Sequence, residues 1–273
     1  MMTRHGNRSL DELIRRGQDA LDAEEFQEAE AFARRAMMRD QASIEARQVL
    51  SSSLIEMARY EEALEVLDEM LTLDPQDPVT HADAGVCFFM LCEFERADAA
   101  LQQALELDSK DVQAQYWKGL SLERRGEFER ADEMFMLAHQ TEPEGFPRPA
   151  RMSRREFQRV VDTAIEEIDP DIREEMKNLT IIIDDLPTDD DLTDYDPPLD
   201  PCLYGLYVGV PLPERSNADL PRLPDTIYIY QRNLERVCSD LETLRKEIRI
   251  TLLHEVGHYL GYDEDDLAER GLA

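Results

Sequence analysis

Gly85-Val86-Cys87-Phe88-Phe89-Met90-Leu91-Cys92-Glu93-Phe94-Glu95-Arg96-Ala97 is answered 34 residues later by Gly119-Leu120-Ser121-Leu122-Glu123-Arg124-Arg125-Gly126-Glu127-Phe128-Glu129-Arg130-Ala131. The same offset runs back toward the N-terminus. Phe26, Tyr60, Phe94 and Phe128 are each 34 apart, and each is followed three residues on by Ala29, Ala63, Ala97 or Ala131. Seven residues further come Ala36, Met70, Ala104 and Ala138. Nine before each aromatic sit Gly17, Ser51, Gly85 and Gly119, and Pro75 and Pro143 fall at matching repeat ends. A fixed period of this size marks stacked supersecondary units that bury a core between neighbours. Small residues at fixed points let paired helices approach, and the aromatic fills the gap beside them. Four units in register predict an α-helical solenoid over residues 10–145, with Trp117, Phe88, Phe135 and the methionines as packing residues.

This pattern resembles the tetratricopeptide repeat family, a helix–turn–helix unit of this period. The resemblance implies a binding groove built from the first helix of each unit. Carried over position by position, it gives Val86, Phe89, Met90, Tyr116 and Leu120 as an apolar protein-binding end, and Asp11, Asp22, Glu45 and Glu56 toward an acidic end. Arg124 is the one base among the groove positions, so a clamp for a peptide carboxylate is not expected. The expected partner is an apolar or basic protein segment, or the chain's own second domain.

Residues 146–152, with Pro147 and Pro149, read as a linker. Ser153 and Glu156 form a capping box. Phe157, Val160, Val161, Ala164, Ile165 and Ile168 then line one face of a helix ending near Pro170. Leu179–Ile183 is a β-branched run and reads as a buried strand. Asp184–Pro201, with eight aspartates, four prolines and no base, reads as a solvated loop without a calcium-loop spacing. Leu203–Val210 is an apolar segment punctuated by glycines. Thr226–Tyr230 alternates and reads as a strand, at an edge where it could pair with an extended substrate. A short helical piece at Asn233–Val237 precedes a long helix, placed by a Ser239/Glu242 capping box and the stripe Leu241, Leu244, Ile248, Leu252 and Val256. This half is therefore α+β, a small domain over residues 153–273.

That last helix carries His254-Glu255-Val256-Gly257-His258-Tyr259-Leu260-Gly261. Histidines at i and i+4 share a helix face, so two imidazoles can hold one Zn²⁺ while the glutamate between them acts as base on a water. Gly261 can adopt φ > 0 and turn the chain back. The third ligand is then expected at Glu264, the HExxHxxGxxH position, with Asp265 and Asp263 as alternatives. No methionine follows Met176, so no metzincin Met-turn is expected. Tyr207, Tyr228, Tyr259 and Tyr262 are candidates to stabilise an oxyanion.

Residues 153–273 resemble the small bacterial zincin-like metallopeptidases sometimes called minimal zincins. The shared landmarks are Gly205-Leu206-Tyr207, Gly209 with Pro211-Leu212 and Arg215, Leu223-Pro224-Asp225, and the terminal HExxHxxG. Tyr259-Leu260 departs from a frequent His-Phe, and Val208 stands where an acid is common. The resemblance implies a compact zinc-dependent peptidase with one Zn²⁺ per chain. The expected function is hydrolysis of peptide bonds with substrate recruited or gated by the repeats. The alternative is a non-catalytic adaptor with a structural or occluded zinc site.

The net charge of −31 is spread evenly, −16 over residues 1–148 and −15 over 149–273. Such a field opposes binding to phosphate backbones and anionic membranes, so neither nucleic acid nor membrane is an expected partner. Four scattered cysteines match neither a disulfide framework nor a zinc ribbon, and Met1–Arg8 lacks the apolar core of a signal peptide. The expected compartment is the cytoplasm. His5, His81 and His139 read as ordinary surface or solenoid residues. Nothing in the sequence fixes the oligomeric state.

Overall fold

The computed structural model describes residues 3–215 and 225–271, and the side chains from residue 9 onward within them. The Leu223-Pro224 landmark and the side chain of His5 lie outside the described residues. The chain divides between Thr141 and Glu142 into two compact units.

The first unit is four helical hairpins: α1 (Thr3–Asp22) with α2 (Phe26–Met37), α3 (Ile44–Glu56) with α4 (Tyr60–Leu73), α5 (Pro78–Met90) with α6 (Phe94–Leu107), and α7 (Val112–Arg124) with α8 (Phe128–Thr141). Each repeat aromatic is thus the first residue of a second helix. The repeat alanines Ala29, Ala63, Ala97 and Ala131 are fully buried. A side chain on Gly119 would meet the Phe135 ring at 2.5 Å, so the small position exists for helix approach. Ser43, Asp77 and Asp111 cap α3, α5 and α7, each accepting a main-chain N–H three residues on.

The turns between paired helices follow the same period by a device that the composition hides. Glu24, Ala58, Cys92 and Gly126 have φ of 59°, 55°, 60° and 71°. The next residue in each case donates its N–H back across the helix end, as Arg59 N to Leu54 O at 2.9 Å and Glu93 N to Phe88 O at 2.8 Å. This is the six-to-one bond of a left-handed helix stop. Only one of the four positions is glycine.

The groove candidates divide by exposure. Val86, Phe89 and Leu120 are buried, and the Phe89 ring packs edge-on against Phe94 and Trp117 at 5.2 and 5.4 Å. Met90 and Tyr116 are half-buried.

The second unit contains α9 (Arg154–Glu167), α10 (Pro170–Glu175), β1 (Thr180–Asp184), α11 (Asp189–Thr193), β2 (Gly205–Val208), β3 (Thr226–Tyr230), α12 (Gln231–Val237), α13 (Leu241–Leu260) and α14 (Glu264–Glu269). Its sheet has the order β1-β3-β2, with β3 parallel to β1 and antiparallel to β2. The expectation that Thr226–Tyr230 forms an edge is therefore wrong. Both of its sides carry hydrogen-bonded neighbours, and the edge strand beside α13 is β2. The fully buried Ile227 and Ile229 of β3 meet Phe157 and Val161 of α9 and Leu244, Ile248, Leu252 and Val256 of α13 in one core.

Several local expectations need correction. Asp240, not Ser239, caps α13, its carboxylate accepting from Glu242 N at 2.8 Å and Thr243 N at 2.9 Å. Leu241 is 41% exposed and stands outside the apolar stripe. α9 does end near Pro170, at Glu167, and Pro170 itself starts α10 at the position where a missing N–H costs nothing, with Asp169 as its cap. Residues 146–152 are not a free tether: Ala150 and Met152 lie in the second unit's core, and Ala150 N donates to Glu235 O and Cys238 O. The aspartate-rich loop holds one turn of helix, α11, which buries Leu192 completely. As expected, none of the four cysteines forms a disulfide among the described residues. No helix among the described residues is long and apolar enough to cross a membrane.

Candidate metal centre

The site is set by how α13 ends. Gly261 adopts φ 91° and closes the helix, with Tyr262 N donating to Gly257 O at 2.9 Å. The reversed chain enters α14, capped by Asp263, whose carboxylate accepts from Asp266 N at 2.9 Å. Leu267 of α14 is fully buried. It packs on Gly257, where a Cβ would lie 2.3 Å from Leu267 Cδ2. That contact draws α14 back along α13 and brings Glu264 to the two histidines.

The three residues make the one such cluster among the described residues, with donor atoms all within 4.8 Å of one another. His254 Nε2 and His258 Nε2 are 2.9 Å apart. Glu264 lies 3.3 Å from His258 Nε2 and 3.9 Å from His254 Nε2. Zinc held tetrahedrally at about 2.0–2.2 Å places its donors roughly 3.3–3.5 Å apart, a spacing that these distances bracket. His258 Nδ1 lies 3.2 Å from Tyr262 O. A proton on that nitrogen satisfies the carbonyl and leaves Nε2 free to ligate. The donor set of two imidazoles and a carboxylate fits zinc. Of the alternative ligands, Asp263 is engaged as the α14 cap, and Asp265 is not part of the cluster. His81, outside the site, bonds Pro75 O, and His139 lies on α8.

Glu255 points the other way from the surface, only 6% exposed, toward β2. Burial pushes its carboxyl up to about 8, the Tyr207 main-chain N–H pulls it down, and Glu264 pushes it further up. Gly205 makes room for it, since a Cβ there would sit 2.7 Å from Glu255 Oε1. Beyond β2 a second network holds the chain. Asp225 accepts from Tyr207 OH at 2.9 Å, Val210 N at 3.2 Å and Arg215 Nη2 at 2.8 Å. Arg215 also donates to Val210 O and lies over the Tyr259 ring, 5.0 Å from its centre. Of the landmarks, Gly205, Tyr207 and Gly209 thus form one wall of the site, while Asp225 and Arg215 brace it through Tyr207 and Val210.

The wall, the two histidines and α14 enclose an open cleft of about 600 Å³. The four tyrosines separate. Tyr207 and Tyr262 line the cleft. The Tyr207 hydroxyl is committed to Asp225, and burial pushes its pKa up to about 12. Tyr259 is buried and donates to Glu175 O at 2.6 Å. Tyr228 stacks on Tyr230 with ring centres 6.2 Å apart and is not part of the lining. The aspartate–arginine brace and the Gly257–Leu267 contact escaped sequence reading. The landmark residues were visible, but their partners are up to 18 positions away.

The zincin-like metallopeptidase family model matches residues 176–272, and the tetratricopeptide repeat model matches residues 20–82 and 54–122. Among solved structures, the chain is similar to MamA 41-end from Desulfovibrio magneticus RS-1, at 19% identity over 49% of this chain and 76% of that one, with a TM-score of 0.44. It is also similar to TTC0263, a thermophilic repeat protein of Thermus thermophilus, at 20% identity over 48% of this chain and 73% of that one, with a TM-score of 0.44. No curated protein matches. In chain order, the match to the tetratricopeptide repeat model over residues 20–122 is followed by the match to the zincin-like metallopeptidase model over residues 176–272.

Proposed function

We propose that the second unit is a zinc-dependent peptidase and that the repeats recruit or gate its protein substrate. The observation that carries this is the convergence of His254, His258 and Glu264 in one open cleft with Glu255 beside them. A zinc ion held by those three residues would supply a Lewis acid for the peptide carbonyl and acidify water. A cation at the three donors would favour the ionised form of Glu255, which takes the proton from the attacking water and passes it to the leaving nitrogen. Tyr262 is assigned as the oxyanion donor, being the cleft tyrosine whose hydroxyl is not given to Asp225. An extended substrate runs along the outer edge of β2, because β3 is central in the sheet, and pairs with main-chain groups there. Three donors and an open cleft favour catalysis over the structural alternative, since structural zinc sites close with four protein ligands. Four cysteines without a disulfide fit a reducing compartment, so the cytoplasm is the proposed setting. The repeats take an apolar or basic segment.

The test pairs zinc content by plasma mass spectrometry with hydrolysis of an unfolded protein. The wild type should carry about one zinc per chain and cleave, and Glu255→Gln should keep the metal and lose cleavage. Unchanged cleavage by Glu255→Gln would remove the assigned base. No cleavage by a zinc-loaded wild type would leave the adaptor reading.

A further inference from the structure

We infer that the cleft selects basic peptides, with lysine or arginine on either side of the bond at the metal centre; this rests on the peptidase reading above. Besides Glu255 and Glu264, the lining contains Asp200, Glu214 and Asp263, and it contains no lysine or arginine among the described residues. None of these three carboxylates has an ion-pair partner among the described residues. The two arginines nearest in the chain are occupied: Arg215 pairs with Asp225 at 2.8 Å, and Arg270 lies on the Tyr262 ring at 4.3 Å.

Position matters as much as sign. Asp200 enters the cleft from the segment before β2, and Glu214 enters from the segment after it. They flank in sequence the edge strand β2, along which the proposed extended chain would lie. Asp200 is held in place, its carboxylate accepting from Cys202 N at 2.7 Å. Asp263 is likewise held by its cap bond to Asp266 N. Leu203 and Leu206 of the same lining offer apolar surface for the methylene stems of lysine and arginine, leaving the charged heads at the carboxylates. Exposed charge pairs of this kind contribute a few-fold each, so two or three give a preference of about tenfold at low salt.

The experiment uses the full chain loaded with zinc and carrying Glu255→Gln, so that binding is read without turnover. Two fluorescent peptides of equal length and apolar content, one with lysines and one with glutamates flanking the centre, are compared by anisotropy. The lysine peptide should bind about tenfold tighter at low salt, with the contrast shrinking as salt shortens the screening length. Asp200→Asn with Glu214→Gln, both at exposed positions, should remove most of the preference. Equal binding of the two peptides overturns the inference. A preference that survives in the double variant also overturns it, because the acidic surface elsewhere would then be the binder. Wild-type cleavage of both peptides with equal kcat/KM overturns the selectivity and leaves the peptidase intact. A preference that the double variant abolishes, with no cleavage by the wild type, supports the selectivity and removes the peptidase.

Discussion

Leu267 fills the space that a side chain on Gly257 would need, with only 2.3 Å between its Cδ2 and the position of the missing Cβ. The glycine inside the metal motif therefore serves the chain that follows it. Gly257→Ala forces Leu267 Cδ2 to move, and because Leu267 is fully buried the expected outcome is that α14 shifts with it, at a cost of about 1–3 kcal/mol. Zinc affinity should fall by one to two orders of magnitude while both histidines remain. Competition titration with a chelator of known affinity measures this, and an unchanged affinity would show that α14 does not place a ligand.

Gly205 and Glu255 form the second close pair. Gly205→Ala sets a methyl 2.7 Å from Glu255 Oε1 and shifts the carboxylate without touching a proposed metal ligand. Turnover should fall by about 10–100-fold with zinc content unchanged, the signature of a displaced base. Loss of zinc with activity would instead implicate the whole cleft wall.

The repeat turns offer a stability test remote from the cleft. Ala58 and Cys92 hold left-handed backbone at φ 55° and 60°. A side chain there costs about 1 kcal/mol relative to glycine. Ala58→Gly should raise the melting temperature of the repeat unit by a few degrees despite adding a glycine. The same change at Ala63, a fully buried helical position, should lower it.

Asp83 supplies the pH dependence. Burial raises its carboxyl from an ordinary value near 4 to about 7, although Gln113 donates to it at 3.1 Å. Between those two values the folded chain keeps a proton that the unfolded chain has lost. Stability from this group therefore falls as pH rises from about 4 to 7. Asp83→Asn keeps the Gln113 bond and removes the charge. It should be more stable than the wild type by about 1–3 kcal/mol at pH 8, with the gap closing toward pH 4. Denaturant melts at the two pH values decide it, and a gap independent of pH would assign the effect to packing.

What the sequence made visible was what lies within a turn or two of helix. The 34-residue period fell on the first residue of α2, α4, α6 and α8, because the aromatic and the alanine three positions later share one helix face. The close pairing of His254 with His258 and the stop at Gly261 are equally local. The left-handed turns were hidden because glutamate, alanine and cysteine occupy three of the four places. Strand order could not be read, since alternation in Thr226–Tyr230 is the same for a central strand as for an edge. Asp240 replaced Ser239 as a cap because neighbouring residues of similar chemistry compete for the same N–H groups. The cleft wall joins Tyr207 to Asp225, and the linker residue Met152 is tied to Glu235, 83 positions away. Contacts at such range leave no spacing to recognise.

Of the three candidate donors, Glu264 alone sits on a separate, six-residue helix. So short a helix has little cohesion of its own. With Glu264 ligating, the ion becomes a rivet fastening α14 to α13, and occupancy and local order rise and fall together. Stripping the metal should then speed amide hydrogen exchange across residues 264–269 while leaving the hydrogen-bonded core of α13 protected. Any protein that tugs on this segment would be loosening the metal as well.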